Sequence, residues 1–335
     1  MGCVRNSLME KEQTVPPGRS LIESILVPAP SAAADGHVIN SMGTGAWAWG
    51  DRMFWGYGSG YDYDDVRAAF ETVMRARAVF FDTAEVYGMG QSEQLLGEFV
   101  HGSGAEAAIA TKFFPFPWRL DSSSVVRALR GSLKRLGLEQ VALYQIHWPT
   151  PLVRIETLMK GLADAVEAGL TRAVGVSNYN VEQTRRAHAA LAERGINLAS
   201  NQVEYSLLQR SPERSGLLEL CRDLGVTVIA YSPLGSGLLT GKYGPDAPPP
   251  GVRRPRYDRE YLSRLQQLIG LMREIGAGHG DKTPAQVALN WVIAKGAVPI
   301  PGAKNSRQAE ENIGAVGWSL GADEVEALDR ASQLS

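Results

Sequence analysis

The stretch Phe81-Asp82-Thr83-Ala84-Glu85-Val86-Tyr87-Gly88 decides how the rest of the chain is read. It follows the apolar run Ala78-Val79-Phe80-Phe81, which predicts a short buried strand. Asp82 stands where that strand ends. Tyr87 follows in a loop punctuated by Gly88 and Gly90. A carboxylate buried at a strand end needs a partner. A free phenol, with a pKa of roughly 10, is a poor acid at neutral pH. A lysine between the two serves both. The carboxylate holds the ammonium, and the ammonium favours phenolate and lowers the tyrosine pKa. The next strand, Ala108-Ile109-Ala110-Thr111-Lys112, ends in such a lysine. Taken alone, the stretch also fits a plainer arrangement, in which Asp82 caps a loop and Tyr87 covers the rim of the fold. One D-x4-Y spacing does not choose between them.

Outward from this stretch, strand-like runs alternate with helix-like ones. Before it, Val38–Thr44 reads as a first strand leading into Gly45-Ala46-Trp47-Ala48-Trp49-Gly50. Asp64–Arg77 reads as a helix with Val66, Phe70 and Val73 at helical spacing. After it, a helix over Ser92–Val100, capped by Ser92, precedes a third strand, Ala107–Thr111. The remaining strands are Val141–Ile146, Arg172–Val176, Leu198–Gln202, Val226–Ala230 and Ala297–Ile300. Between them lie helices over Ser122–Leu136, Ile155–Ala168, Val181–Arg194 and Gly216–Leu224. Gly137, Gly169, Gly195 and Gly225 stand where these should stop. The long connection from Ser232 to Asp258 includes Pro245, Pro248, Pro249, Pro250 and Pro255 and reads as an active-site loop. Helices over Tyr261–Ile275, Pro284–Ala294, Gln308–Val316 and Asp323–Leu328 complete the pattern.

Strictly alternating units imply an α/β fold with a parallel sheet. Eight units in one chain of this length favour a closed (β/α)8 barrel, the TIM-barrel architecture, as a single domain over residues 38–335 with long active-site loops. No Gly-x-Gly-x-x-Gly follows a strand and opens a helix, as an open dinucleotide-binding sheet would require.

Lys plus Arg number 34 and Asp plus Glu 36, for a net charge of −2, which gives no global drive toward nucleic acid or an anionic membrane. Cys3 and Cys221 form neither a disulfide framework nor a cysteine metal site, and fit a reducing compartment. Cys221 shares a helix face with Leu217, Leu218 and Leu224 and reads as a small core residue. No run approaches the ~20 apolar residues of a membrane span. Residues 1–37 have no periodic pattern and are broken by Pro16-Pro17-Gly18 and Pro28-Ala29-Pro30, so they read as a mobile arm. The arm lacks the apolar core of a secretory signal, and Glu10, Glu12, Glu23 and Asp35 are out of place in a transit peptide. A cytoplasmic location is expected, with the chloroplast as the alternative. Met1-Gly2-Cys3 hints at acylation, but Asn6 stands where the myristoylation pattern needs Ser or Thr.

In such barrels the C-terminal strand ends build the active site. Here they offer Trp47, Asp82, Lys112, His147-Trp148, Ser177-Asn178, Asn201-Gln202, Tyr231-Ser232 and Pro301-Gly302-Ala303-Lys304, in strand order. Polar groups converging on one rim are hard to explain as core packing. Asp82, Tyr87, Lys112 and His147, with these intervals and positions, resemble the catalytic tetrad of the aldo-keto reductases. Gly175-Val176-Ser177-Asn178, Asn201-Gln202-Val203-Glu204-Tyr205-Ser206, the run Tyr231 to Leu238, and Pro299-Ile300-Pro301-Gly302-Ala303-Lys304 followed by Glu311-Asn312 are also similar to that family's motifs. The resemblance spans about residues 40 to 330, in family order. Trp47-Ala48-Trp49-Gly50-Asp51 and the Pro-Gly-Ala-Lys-Asn form resemble a plant and algal branch often assigned to plastids.

The resemblance implies NADPH-dependent reduction of aldehydes and ketones. Hydride comes from the nicotinamide, and Tyr87 is the proton donor, tuned by Lys112 and Asp82. His147 orients the carbonyl and assists the transfer. Ser177, Asn178 and Gln202 would hold the carboxamide of the nicotinamide, and Tyr231 would stack on its ring. Ser232, Leu234, Gly235, Ser236, Gly237, Leu238 and Lys242 would follow the pyrophosphate, with Pro301 and Gly302 beside the cofactor. Lys304 would meet the 2′-phosphate, with Asn305 and Gln308 nearby and Glu311 and Asn312 at the adenine. The family often has arginine at the place of Gln308, and glutamine brings no charge. Trp47 and Trp148 would wall a site for an apolar or aromatic carbonyl, together with aromatic residues from the run Trp49 to Tyr57 and from Phe113 to Trp118.

Two other classes stay in view. Channel-associated members of the family bind nicotinamide and act mainly through partners, as regulatory subunits. A metal-dependent barrel hydrolase is disfavoured, because the five histidines form no H-x-H or HExxH pair. The expected partner is a small carbonyl substrate, with no nucleic acid, no membrane and a monomeric state.

Overall fold

Eight strands hydrogen-bond side by side in chain order in the computed structural model, which describes residues 41–250 and 257–333. They are β1 (Thr44–Gly45), β2 (Phe80–Asp82), β3 (Ala108–Phe113), β4 (Val141–Ile146), β5 (Thr171–Ser177), β6 (Leu198–Glu204), β7 (Thr227–Tyr231) and β8 (Val298–Pro299). Every pairing is parallel. The sheet closes on itself. Gly43 N donates to Pro299 O at 3.0 Å and Gly45 N to Pro301 O at 3.1 Å, joining the first strand to the last. This is the expected (β/α)8 barrel.

Outside the sheet lie α1 (Tyr63–Arg75), α2 (Gln91–Ser103), α3 (Ser122–Leu136), α4 (Ile155–Glu167), α5 (Val181–Ala192), α6 (Ser211–Arg214) and α7 (Leu217–Asp223). They are followed by α8 (Arg259–Gly278), α9 (Pro284–Ala294), α10 (Ser306–Ile313) and α11 (Ala322–Ala331). Caps start several of them. Asp62 and Asp65 form a capping box at α1, and Asn180 and Gln183 form one at α5. Gly137 takes φ +67° just past α3, in the left-handed stop its sequence predicted.

Strand alternation divides the interior. Phe81, Ile109 and Tyr144 face the helices, in one apolar shell with Phe70 and Leu129. Phe80, Ala108, Ala110 and Leu143 face the barrel axis. In step with these inward residues, at the C-terminal ends, come Asp82, Lys112 and Gln145. Period-two geometry therefore aims all three into the barrel mouth. Register fixes their neighbours: Asp82 lies opposite Ala110, and Lys112 opposite Gln145. Gly175 has to be glycine, because a Cβ there would stand 2.2 Å from Ser200 Oγ and 3.2 Å from Gln145 Cγ.

Some expectations need correction. Within the described residues the first strand is only Thr44–Gly45, since the glycines beside it pair one residue at a time with the last strand. Ser92 does not cap α2. Gly90 does, and the buried Ser92 hydroxyl instead donates to Ala46 O at 2.8 Å and pairs with Thr83 Oγ1, pinning the helix to the rim. The helix expected at Gln308–Val316 is Ser306–Ile313, capped by Asn305. The short α6 went unseen. The arm at 1–37, and Val38 to Asn40 of the expected first strand, lie outside the described residues. No helix among the described residues is long and apolar enough to cross a membrane.

Candidate active site

The floor of the barrel mouth is a closed polar layer. Lys112, with no exposed surface, donates from Nζ to Asp82 Oδ1, to Thr83 O at 2.9 Å and to the Tyr87 hydroxyl at 3.4 Å. The other carboxylate oxygen of Asp82 accepts from Gln202 Nε2 at 2.8 Å and Gln145 Nε2 at 3.3 Å. Ser200 Oγ in turn holds Gln145 Oε1 at 3.3 Å. A buried ion pair is tolerable only when its remaining hydrogen-bonding capacity is met, and here β4, β6 and the loop after β2 meet it.

Burial works against the Lys112 charge, but Asp82, helped by Tyr87, outweighs it and holds the ammonium above its ordinary pKa. The same burial pushes the Tyr87 phenol up. Lys112 pulls it down, but by less, and Asp82 adds to the rise. The expected net lowering of the Tyr87 pKa is thus reversed in this structure, because taking a phenolate out of water costs more than one shared ammonium returns. Tyr87 stands as a protonated acid beside a permanent cation.

His147 follows β4. Its ring lies edge-on to Tyr87 (5.6 Å between centroids, 81°) and to Phe114 (5.8 Å, 85°). Burial, then Lys112, depresses its pKa to about 3, so the imidazole is neutral across the ordinary pH range. Its Nδ1 is buried without a hydrogen-bond partner, which leaves Nε2 for the cleft. Its backbone is fixed: the N–H donates to Phe113 O at 2.9 Å, and the carbonyl accepts from Asn178 Nδ2 at 3.1 Å.

From this floor a cleft of about 870 Å³ runs across the barrel top to the head of α10. Tyr231 donates to Asn178 Oδ1 at 3.0 Å, and Asn178 Nδ2 also reaches Ser177 Oγ, so the Asn178 amide is locked in orientation. The loop after β7 makes one wall, with Gly235 at φ +54° and Gly237 at φ +91°. Asn178, Ser232, Ser236 and Met89 also take positive φ. Three of the six such non-glycine residues among those described, Asn178, Ser232 and Ser236, thus line this mouth, which is where backbone strain is usually stored. At the far end Lys304 donates to Trp55 O at 2.8 Å and lies 4.2 Å from the centroid of the Tyr61 ring. Gln308 Oε1 accepts from Lys304 N at 2.9 Å.

Most residues singled out in the sequence converge here. Asp82, Tyr87 and His147 line the cleft, as do Trp47 and Trp148. So do Ser177, Gln202, Ser232, Leu234, Ser236 and Lys242, and Pro301, Gly302, Gln308, Glu311 and Asn312 at the far end. Lys112, Gly235, Leu238 and Asn305 do not: Lys112 and Leu238 are buried, and Asn305 caps α10. Gln202 spends its amide N–H on Asp82. Of the aromatic runs, Trp55 joins Trp47 and Trp148 in the cleft. Trp49 and Phe113 are core, and Phe116 stacks on the exposed Trp118. Sequence reading missed Gln145, hidden inside an apolar strand, and Arg307 and Tyr243, which line the cleft with nothing to mark them. Among the described residues no group of His, Cys, Asp and Glu could hold a metal ion.

The family model described as Aldo/keto reductase family matches residues 41–333. The chain is 43% identical over 311 residues to a protein named pyridoxal reductase, chloroplastic, from Arabidopsis thaliana, covering 89% of this chain and 84% of that one. Among solved structures it is similar to a thermostable aldo-keto reductase in complex with the inhibitor epalrestat, with a TM-score of 0.71, 29% identity, and 89% and 97% of the two chains covered. It is also similar to an aldo/keto reductase from Klebsiella pneumoniae in complex with NADP and acetate, with a TM-score of 0.69, 26% identity, and 87% and 90% covered.

Proposed function

The chain belongs to the aldo/keto reductase family, and from that premise we propose that it reduces small aldehydes and ketones to alcohols with NADPH, flat aromatic aldehydes such as pyridoxal foremost. The observation that carries the reading is the protonated Tyr87 hydroxyl, 3.4 Å from the Lys112 ammonium on the cleft floor and beside a neutral His147. The name of the Arabidopsis relative supports the aromatic aldehyde, and so do the indoles of Trp47, Trp55 and Trp148 lining the cleft, Trp47 stacked 5.8 Å from the Tyr87 ring.

The cleft's own chemistry fits NADPH. Gly237 takes φ +91°, a conformation that favours glycine, and its bare backbone leaves room for a close-lying pyrophosphate. The locked amide of Asn178 and the Ser177 hydroxyl offer fixed polar groups to a carboxamide, and the Tyr231 ring a flat face. Lys304 and Arg307 bring positive charge to the end where a 2′-phosphate would lie. Bound there, the cofactor supplies the hydride for the carbonyl carbon.

The protein's residues handle the proton. Tyr87 gives its hydroxyl proton to the carbonyl oxygen. Lys112 remains charged throughout and stabilises the phenolate left behind, and Asp82 keeps Lys112 in place. His147, neutral, donates from Nε2 to the same oxygen and fixes its direction. Trp47 and Trp148 cover the site and keep water from it. The reading takes a single copy in the cytoplasm as the working unit. The chloroplast is the alternative supported by the relative's name, and import of a residue 1–40 fusion into isolated plastids decides between them.

The test follows loss of reduced-nicotinamide absorbance with NADPH and either benzaldehyde or pyridoxal. Turnover of both is expected. Tight NADPH binding without turnover across aromatic, aliphatic and ketone substrates would instead favour a binding role.

A further inference from the structure

His147 poses a problem of orientation. A histidine that works through one ring nitrogen is usually aimed by a hydrogen bond at the other. Here Nδ1 has no partner, so packing alone holds the ring, between Tyr87 on one side and Phe114 on the other. Whatever fixes Phe114 therefore fixes His147.

Phe114 is held at both ends of its peptide unit by one ion pair. Glu85 Oε1 accepts from Phe114 N at 2.7 Å, and Arg119 Nη1 donates to Phe114 O at 2.9 Å. The two side chains bind each other through both oxygens, at 2.5 and 3.0 Å. Their exposures are 8% for Glu85 and 20% for Arg119, so the pair is largely withdrawn from water. The Arg119 guanidinium also lies 5.0 Å from the Phe113 ring and 5.1 Å from the Phe116 ring. Glu85 sits two residues before Tyr87 in the same loop, so one clip ties the proton donor's loop to the loop that buttresses His147. A buried ion pair is weak evidence for stability, because desolvation offsets much of its attraction; its attested use is to specify one arrangement. We infer that Glu85 and Arg119 are a positioning pair for His147, acting through Phe114.

The inference rests on the reductase reading, and its test has an arm that does not need turnover. Arg119→Met is expected to lower kcat by about ten- to a hundredfold, the range for a misplaced reacting geometry, with NADPH affinity unchanged. In a His147→Gln background the same change is expected to cost almost nothing more, because its target is already gone. Arg119→Lys, which keeps the charge but not the fork, should fall between and guards against misfolding of the first variant. Independently, the His147 ring resonances, assigned by their loss in His147→Gln, should shift or broaden in Arg119→Met while the other histidines stay put. Losses that multiply in the double variant, or unmoved His147 resonances, would overturn the inference. A wild type without turnover whose His147 resonances still respond to Arg119→Met would overturn only the reductase reading.

Discussion

The two ends of the cleft are built on opposite principles. On the floor Asp82 and Lys112 have side chains 3% and 0% exposed, and beyond their own pairing their polar atoms are answered from β4, β6 and the loop after β2. At the far end Arg307 is 78% exposed and reaches Glu311 at only 4.0 Å, while Lys304 rests on the carbonyl of a loop residue. The floor is organised by sheet register before any ligand arrives. The far end is organised by longer side chains, one exposed (Arg307) and one resting on a loop (Lys304), outside the reach of sheet register. Changes to the floor should therefore act on rate and stability, and changes to the far end on affinity.

The hardest test of that division is Tyr87→Phe, which removes one hydroxyl and keeps the ring. Turnover should fall by about 10²-fold or more, as for a general acid, while NADPH titrates as in the wild type. Retention of a tenth of the rate would remove Tyr87 from the proton-donor role. Lys112→Met strikes the same floor with a mixed signature. It leaves Asp82 buried against two amides and no cation, so unfolding should become easier by ~3–5 kcal/mol. It also strips Tyr87 of the charge that lowers its pKa, so reduction should slow sharply. An unchanged Tm with a lost rate would show that the pair serves chemistry alone.

Lys304→Ala probes the far end. A charge-assisted contact of roughly 1.5–3 kcal/mol corresponds to about ten- to a hundredfold in affinity. NADPH binding should weaken by that factor and NADH binding far less, read by fluorescence titration, with little change in kcat. Because Lys304 also ties down the Trp55 carbonyl, KM for an aromatic aldehyde should rise. Equal losses for the two cofactors would take Lys304 out of the 2′-phosphate site.

The smallest expected effect is on the pH profile. Folded, His147 binds its proton near pH 3; unfolded, near its ordinary value of roughly 6.5. Between these values the unfolded chain binds the extra proton, so His147's contribution to stability falls as the pH drops from about 6.5 toward 3. The rate, by contrast, should show no limb near pH 6.5. Such a limb, abolished in His147→Gln, would mean that His147 acts as a cation.

The same contrast explains what could be read in advance. Asp82, Lys112 and His147 were legible because polar residues closing apolar runs are anomalous in a strand. The eight-unit alternation carried the barrel for similar reasons. Gln145 escaped notice because one neutral amide in Val-Ala-Leu-Tyr-Gln-Ile looks like core until register sets it opposite Lys112, within reach of Asp82. Glu85 and Arg119 lie on different loops, and no periodicity links them. Arg307 looked like any charge on a helix surface. Ser92 was misread as a cap because a serine before an apolar run has that signature, and only the tertiary contacts with Ala46 and Thr83 show its use. The Tyr87 pKa was given the wrong direction because charge can be seen in a sequence and burial depth cannot.

The seam that joins β1 to β8 has a consequence for synthesis. Gly43 and Gly45 take their partners from Pro299 and Pro301, and Trp49 donates its indole N–H to Ala303 O at 2.8 Å. On the ribosome the first strand is made long before its partner. Until then the nascent sheet has an unpaired edge, and contacts so far apart in sequence form slowly. A chain interrupted before residue 298 would thus carry an unpaired sheet edge, because the residues that close the barrel come long after those they close upon.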